Sequence, residues 1–150
     1  MTRTAIGEIG LRFAHPGLSG LSGGLVWGAA TAIAHPGLAE PGEPGLTLGN
    51  WGVLVSIVLI GLAIAFGIGR WGWSGSSRRL GALAVVLAVS AAILVVAPWS
   101  GWPNILAATA LGLAVEHHHR TGVWTSMSGF AAGLAVIAFV IATVWSLFFP

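Results

Sequence analysis

The sequence predicts an all-α protein, a polytopic transmembrane helix bundle of about five spans forming one integral membrane domain, and three observations carry this reading. Of 150 residues, 56% are hydrophobic and only 7% charged, whereas soluble proteins average about 25% charged. Three uncharged apolar stretches, residues 51–69, 80–97 and 123–149, reach the ~20 helical residues that a hydrocarbon core of roughly 30 Å requires. Finally, the arginines fall in alternating connections, as they do when consecutive helices cross a bilayer in opposite senses.

The first span is expected at residues 17–34. A duplicated pentapeptide, Ala14-His15-Pro16-Gly17-Leu18 and Ala34-His35-Pro36-Gly37-Leu38, brackets it at an offset that matches the bilayer core at ~1.5 Å per residue. A residue before proline is driven out of the α region, so His15 and His35 read as boundary residues. Between them Gly20, Gly24 and Gly28 recur every four residues, giving a bare stripe on which a second membrane helix can pack. A cleaved signal peptide competes for this segment, with Arg3 and Arg12 as its basic start and Ala32-Ile33-Ala34 as a cleavage site. Were 17–34 not to span, four spans would remain.

Residues 36–50 hold Glu40, Glu43 and several Pro and Gly, so a polar irregular loop is expected before the second span, 51–69. Residues 70–79 are Gly- and Ser-rich with three arginines and read as the next connection, followed by span 80–97. Pro98 ends that helix and Pro103 can occupy the first turn of the next, making a tight hairpin. The fourth segment is the weakest: its apolar part, 104–115, is only about 18 Å long as a helix. It must extend through Glu116 and His117–His119 to about residue 119, thin the bilayer, or stop as a re-entrant half-helix, and a short span is the preferred reading. Residues 123–149 form the fifth span, with Gly129 and Gly133 as a second packing stripe beside Gly61/Ala65/Gly69 and Ala84/Ala88/Ala92.

With five spans, Arg3, Arg12, Arg70, Arg78, Arg79 and Arg120 all lie on one side and Glu40 and Glu43 on the other. Positive charge is retained in the cytoplasm, so the N-terminus is expected inside and the C-terminus outside. Seven of the eight tryptophans fall near span ends, as interfacial anchors do; Trp27 alone is placed mid-span.

Several function classes are excluded by what the chain lacks. With no Cys it has no disulfide, thiolate metal site, iron–sulfur cluster or Cys nucleophile. Its pI of about 11.3 comes from six scattered arginines on a net charge of +2, not from a basic patch, so nucleic acid is not an expected partner. No ionisable residue is expected at the centre of a span, which disfavours a pump or coupled transporter, and no His is placed inside a span where it could hold haem. No catalytic or cofactor-binding residue is expected.

The densest polar cluster is Glu116-His117-His118-His119-Arg120. Neighbouring helical residues diverge by ~100°, so only Glu116 and His119 share a face, two ligands where a metal site needs three or four. Further ligands would have to come from His15 or His35. The preferred reading is a polar helix end in which Glu116 pairs with Arg120 and the histidines face water or headgroups, with proton sensing as a further alternative.

Residues 92–112, AILVVAPWSGWPNILAATALG, resemble the SPW-repeat family of bacterial and archaeal membrane proteins through Pro98, Trp99, Asn104 and Gly112. Ala97 stands where that motif has Ser, and no second copy is present. The resemblance implies a hydrophobic helix pair and no particular reaction. Arginine without lysine in an Ala- and Gly-rich chain also suggests a prokaryotic source. The expectation is a non-enzymatic structural or accessory subunit of a homo-oligomer or membrane complex, its partners being the lipid bilayer and its own copies or other subunits. The alternative is a passive conduit for water, gas or a small neutral solute.

Overall fold

Each helix begins and ends where local groups can satisfy the free N–H and C=O groups of its terminus. The computed structural model, which describes residues 15–34 and 47–148, contains among them α1 (Pro16–Ala34), α2 (Leu48–Trp73), α3 (Ser77–Leu94), α4 (Trp102–Thr121) and α5 (Ser126–Phe148), with a 3-10 turn at Pro98–Ser100. Arg3, Arg12, His35, Glu40, Glu43 and most of the second pentapeptide lie outside the described residues.

Several boundaries differ from expectation for reasons of capping. Thr47 Oγ1 accepts from the Asn50 N–H, so α2 starts at Leu48, and it continues through Arg70, Trp71 and Trp73, which the sequence placed in a loop. The connection to α3 shrinks to three residues because Ser76 caps Arg79. α3 stops at Leu94, three residues early, since Ala97 before Pro98 is non-helical at φ −123°. Gly101, at φ +70°, then reverses the chain, and Pro103 takes the first turn of α4 as expected. Thr125 and Ser128 cap each other reciprocally, each hydroxyl accepting the other's N–H, which starts α5 at Ser126.

Four helical segments are long and apolar enough to cross a membrane: Gly17–Ala34, Gly49–Trp73, Ser77–Leu94 and Ser126–Phe148. The protein is thus an all-helical membrane-spanning bundle. The doubtful first segment is among the four, and the helix that falls short on apolarity is α4. At 20 residues it is nonetheless about 30 Å long. It packs against all four other helices, and Ile105, Leu113, Ala110 and Ala114 are fully buried. Because α4 contacts protein rather than lipid along most of its surface, it can carry Asn104, Thr109, Glu116 and His117, all buried, without facing hydrocarbon.

Alanines let the inner helices approach. Ala84, Ala88 and Ala91 of α3 and Ala131, Ala135 and Ala138 of α5 are buried in one cluster with α4. On α5 the buried face steps 128, 131, 135, 138, 142, a strict alternation of three and four. Gly129 and Gly133, expected to be its seam, lie off this face, and a Cβ built at either meets nothing within 4 Å.

On α1 the expected stripe turns inward only in part. Gly20 and Gly24 face α4: a Cβ at Gly20 would lie 2.8 Å from Thr109 Oγ1 and one at Gly24 3.6 Å from Ile105 Cγ1, but at Gly28 nothing lies within 4 Å. Stepping by four advances 400°, so such a row drifts about 40° per step around the helix. The face that stays against α4 is Gly20, Gly23, Gly24 and Trp27. Gly23 makes the closest approach, its missing Cβ leaving room for the Asn104 carbonyl oxygen and for Ala108 Cβ.

Candidate functional site

The ends of α2 and α4 meet the beginnings of α1, α3 and α5, and this end of the bundle collects every described arginine together with His15, His117, His118, His119, Trp71, Trp73 and Trp124. The last turn of α2 leaves carbonyl oxygens without helical partners. Arg120 answers them from α4: Nη2 donates to the Trp73 oxygen at 2.7 Å and Nη1 to the Gly75 oxygen at 3.0 Å. Its Nε donates to Glu116 Oε1 at 2.6 Å, one turn back on the same helix. The expected Glu116–Arg120 pair is therefore present, but it does more than cap its own helix. Glu116 is buried, and with Arg120 it fastens α4 to the turn between α2 and α3.

The histidines separate into different environments. His119 is exposed, whereas His118 stacks on Trp124 with ring centroids 4.5 Å apart. His117 departs from the expectation that all three face water or headgroups: it is buried between α3 and α5, its Cδ2 and Nε2 packed over Gly81 beside Met127 Sδ. Its Nδ1 has no hydrogen-bond partner. Glu116 and His119, the pair weighed as metal ligands, differ in burial, the carboxylate being engaged by Arg120. Among the described residues no three His, Cys, Asp or Glu side chains gather around one point. His15 lies across the end of the bundle, its ring 5.4 Å from that of Trp73.

A cavity of about 540 Å³ opens between the start of α1 and the end of α2, lined by His15, Gly67, Arg70, Trp71, Trp73 and Ser74. Beside it Arg79 lies over the Trp71 ring at 4.6 Å. Sequence reasoning missed this cavity because it treated 70–79 as a loop. On a helix, Gly67, Arg70, Trp71 and Ser74 follow i, i+3, i+4, i+7 spacing and share one face.

At the opposite end, polar side chains hold the α3–α4 hairpin in place. Trp27 is buried rather than simply mid-span: its Nε1 donates to the Pro98 oxygen at 2.9 Å, and its ring covers Gly101 where a Cβ would stand 2.8 Å away. Trp102 Nε1 donates to the Ile57 oxygen of α2 at 2.9 Å. Asn104 Nδ2 donates to Thr143 Oγ1 of α5 at 2.7 Å, leaving Oδ1 buried and unpartnered. These bonds tie the hairpin turn and the first turn of α4 to α1, α2 and α5. Compared with protein-family models, curated proteins and solved structures, the chain matches none.

Proposed function

We propose that the protein is a structural or accessory subunit of a membrane complex or homo-oligomer, without an enzymatic reaction of its own. The observation that carries this reading is how the interior polar groups are used. Trp27, Trp102, Asn104 and Arg120 each donate to a helix or turn other than their own, and α4 fills the axis along which a conduit through the bundle would run. A passive conduit, the other reading, would therefore have to form between copies. The arginine-rich end is assigned to the cytoplasm, with the N-terminus inside and the C-terminus outside. The likeness to SPW-repeat proteins at Pro98, Trp99, Asn104 and Gly112 belongs to the same proposal, since it concerns a packed hairpin and not a reaction.

Self-association is assigned to the outward face of α5, where Gly129 and Gly133 leave a bare groove between the exposed side chains of Phe130, Val136 and Ile137. Because the chain has no cysteine, single cysteines at Phe130 and at Leu59 on α2 can be cross-linked in native membranes without background. Cross-linked dimers are expected at Phe130 and not at Leu59. Monomers throughout, together with solute flux in liposomes bearing the purified chain, would overturn the structural reading.

A further inference from the structure

We infer that the cavity between α1 and α2 is a binding site for the phosphodiester headgroup of an anionic phospholipid. Its charge is the first argument. The described residues hold four arginines and one acid, Glu116, which Arg120 engages. Arg70, Arg78 and Arg79 therefore have no carboxylate partner among the described residues, and of these Arg70 lines the cavity. A guanidinium offers paired donors that match two oxygens of a phosphate.

A second donor follows from the local bonding of His15. Its Nδ1 accepts the Gly17 N–H at 3.3 Å, which in a neutral imidazole leaves the proton on Nε2 and makes that nitrogen a donor. His15, immediately ahead of α1, and Arg70, in the last turn of α2, thus bring two donors to one cavity. Its volume of about 540 Å³ lies within the usual range for small-ligand pockets of roughly 300–1,000 Å³. Trp71 and Trp73 supply amphipathic walls of the kind found at headgroup depth.

The surface leading away from the cavity identifies the ligand as a lipid rather than free phosphate. Gly67, whose Cβ position is open, continues along α2 into the exposed Ala63 and Ile60 at steps of four and three residues. This row is apolar and shallow, so an acyl chain attached to a phosphate at Arg70 can lie along it. An anionic headgroup is favoured over a zwitterionic one because Glu116, the one described carboxylate, is engaged by Arg120, and the two tryptophan rings that could receive a choline cation already lie beneath guanidinium groups, Trp71 under Arg79 at 4.6 Å and Trp73 under Arg120 at 5.7 Å.

The test uses the full chain purified in detergent, with phospholipid binding followed by native mass spectrometry and by thermal unfolding. Phosphatidylglycerol should be retained and should raise the melting temperature, and Arg70→Gln should weaken that binding roughly tenfold, the loss expected for one charge-assisted contact. Arg78→Gln, which removes an equal charge outside the cavity, should bind as the parent does. Both variants should show the parent's melting temperature before lipid is added. Equal loss in both variants would overturn the site in favour of general attraction to the basic end. Equal binding of phosphatidylcholine would overturn the headgroup assignment, and equal protection by inorganic phosphate at the same concentration would overturn the lipid one.

Discussion

Adjacent glycines on α1 should respond to alanine with opposite signs. Alanine is favoured over glycine in a helix by about 0.8–1 kcal/mol, and that gain applies equally at Gly23, Gly24 and Gly28. At Gly23 the new methyl would stand 2.9 Å from Ala108 Cβ and press on the Asn104 carbonyl oxygen, which is main chain and cannot rotate away. Restoring an ordinary carbon–carbon separation of 3.5–4.0 Å requires α1 and α4 to part by roughly 0.6–1 Å. Overpacking on this scale costs about 1–3 kcal/mol, so Gly23→Ala should destabilise the bundle by a net of up to ~2 kcal/mol and fall about 1–3 kcal/mol below Gly24→Ala. At Gly24 the nearest atom is 3.6 Å from the new Cβ, an ordinary contact, and at Gly28 nothing lies within 4 Å. Both of those variants should be as stable as the parent or more so by up to ~1 kcal/mol. Reversible unfolding in mixed micelles of mild detergent and dodecyl sulfate, followed by circular dichroism, gives the three values. If Gly23→Ala matched Gly24→Ala, the close crossing of α1 and α4 would be refuted.

The other predictions concern the two ends of the bundle. Arg120→Ala strips the Trp73 and Gly75 carbonyls of their donor and leaves Glu116 buried alone, so it should cost about 2–3 kcal/mol; pairing it with Glu116→Gln should recover part of that loss. Trp27→Phe keeps the ring over Gly101 but leaves the Pro98 oxygen without its donor, for an expected loss of about 1–2 kcal/mol in the same unfolding assay. For orientation, a single cysteine at Ser76 should react with an impermeant maleimide only from the cytoplasmic side and one at Trp99 only from the outside. Labelling of both from one side would contradict the proposed orientation.

Much of the helical framework was legible because its signals are local. The uncharged stretches, the prolines at 16, 98 and 103 and the glycine at 101 act on the backbone within a few residues, and the helices follow them. Boundaries were misjudged where a hydroxyl set the end: Thr47, Ser76 and Thr125 each cap a helix, and arginines and glycines after residue 69 looked more like a loop than a last turn. The alanine face of α5 was readable as a three–four alternation, but glycine drew attention away from it. The central place of α4 is a different matter. Asn104, Glu116 and His117 lower its apolarity, and only the arrangement of the other helices turns that weakness into evidence of burial. The cavity at Arg70 likewise depends on two helices meeting, and a one-dimensional pattern on α2 shows only half of it.

The placing of α4 also constrains how the chain enters the membrane. A helix bearing a carboxylate, an asparagine and three histidines partitions poorly into lipid by itself, and its polar groups find shelter only when neighbours surround it. Insertion of α4 is therefore tied to α3, to which the tight turn at Pro98–Ser100 joins it, and is completed only when α5 arrives from the ribosome to cover Asn104 through Thr143. A nascent chain interrupted before residue 126 would hold its most polar helix against acyl chains along the flank that α5 later covers, the kind of exposed feature that quality-control proteases can recognise. The helix that follows α4 thus acts as its checkpoint.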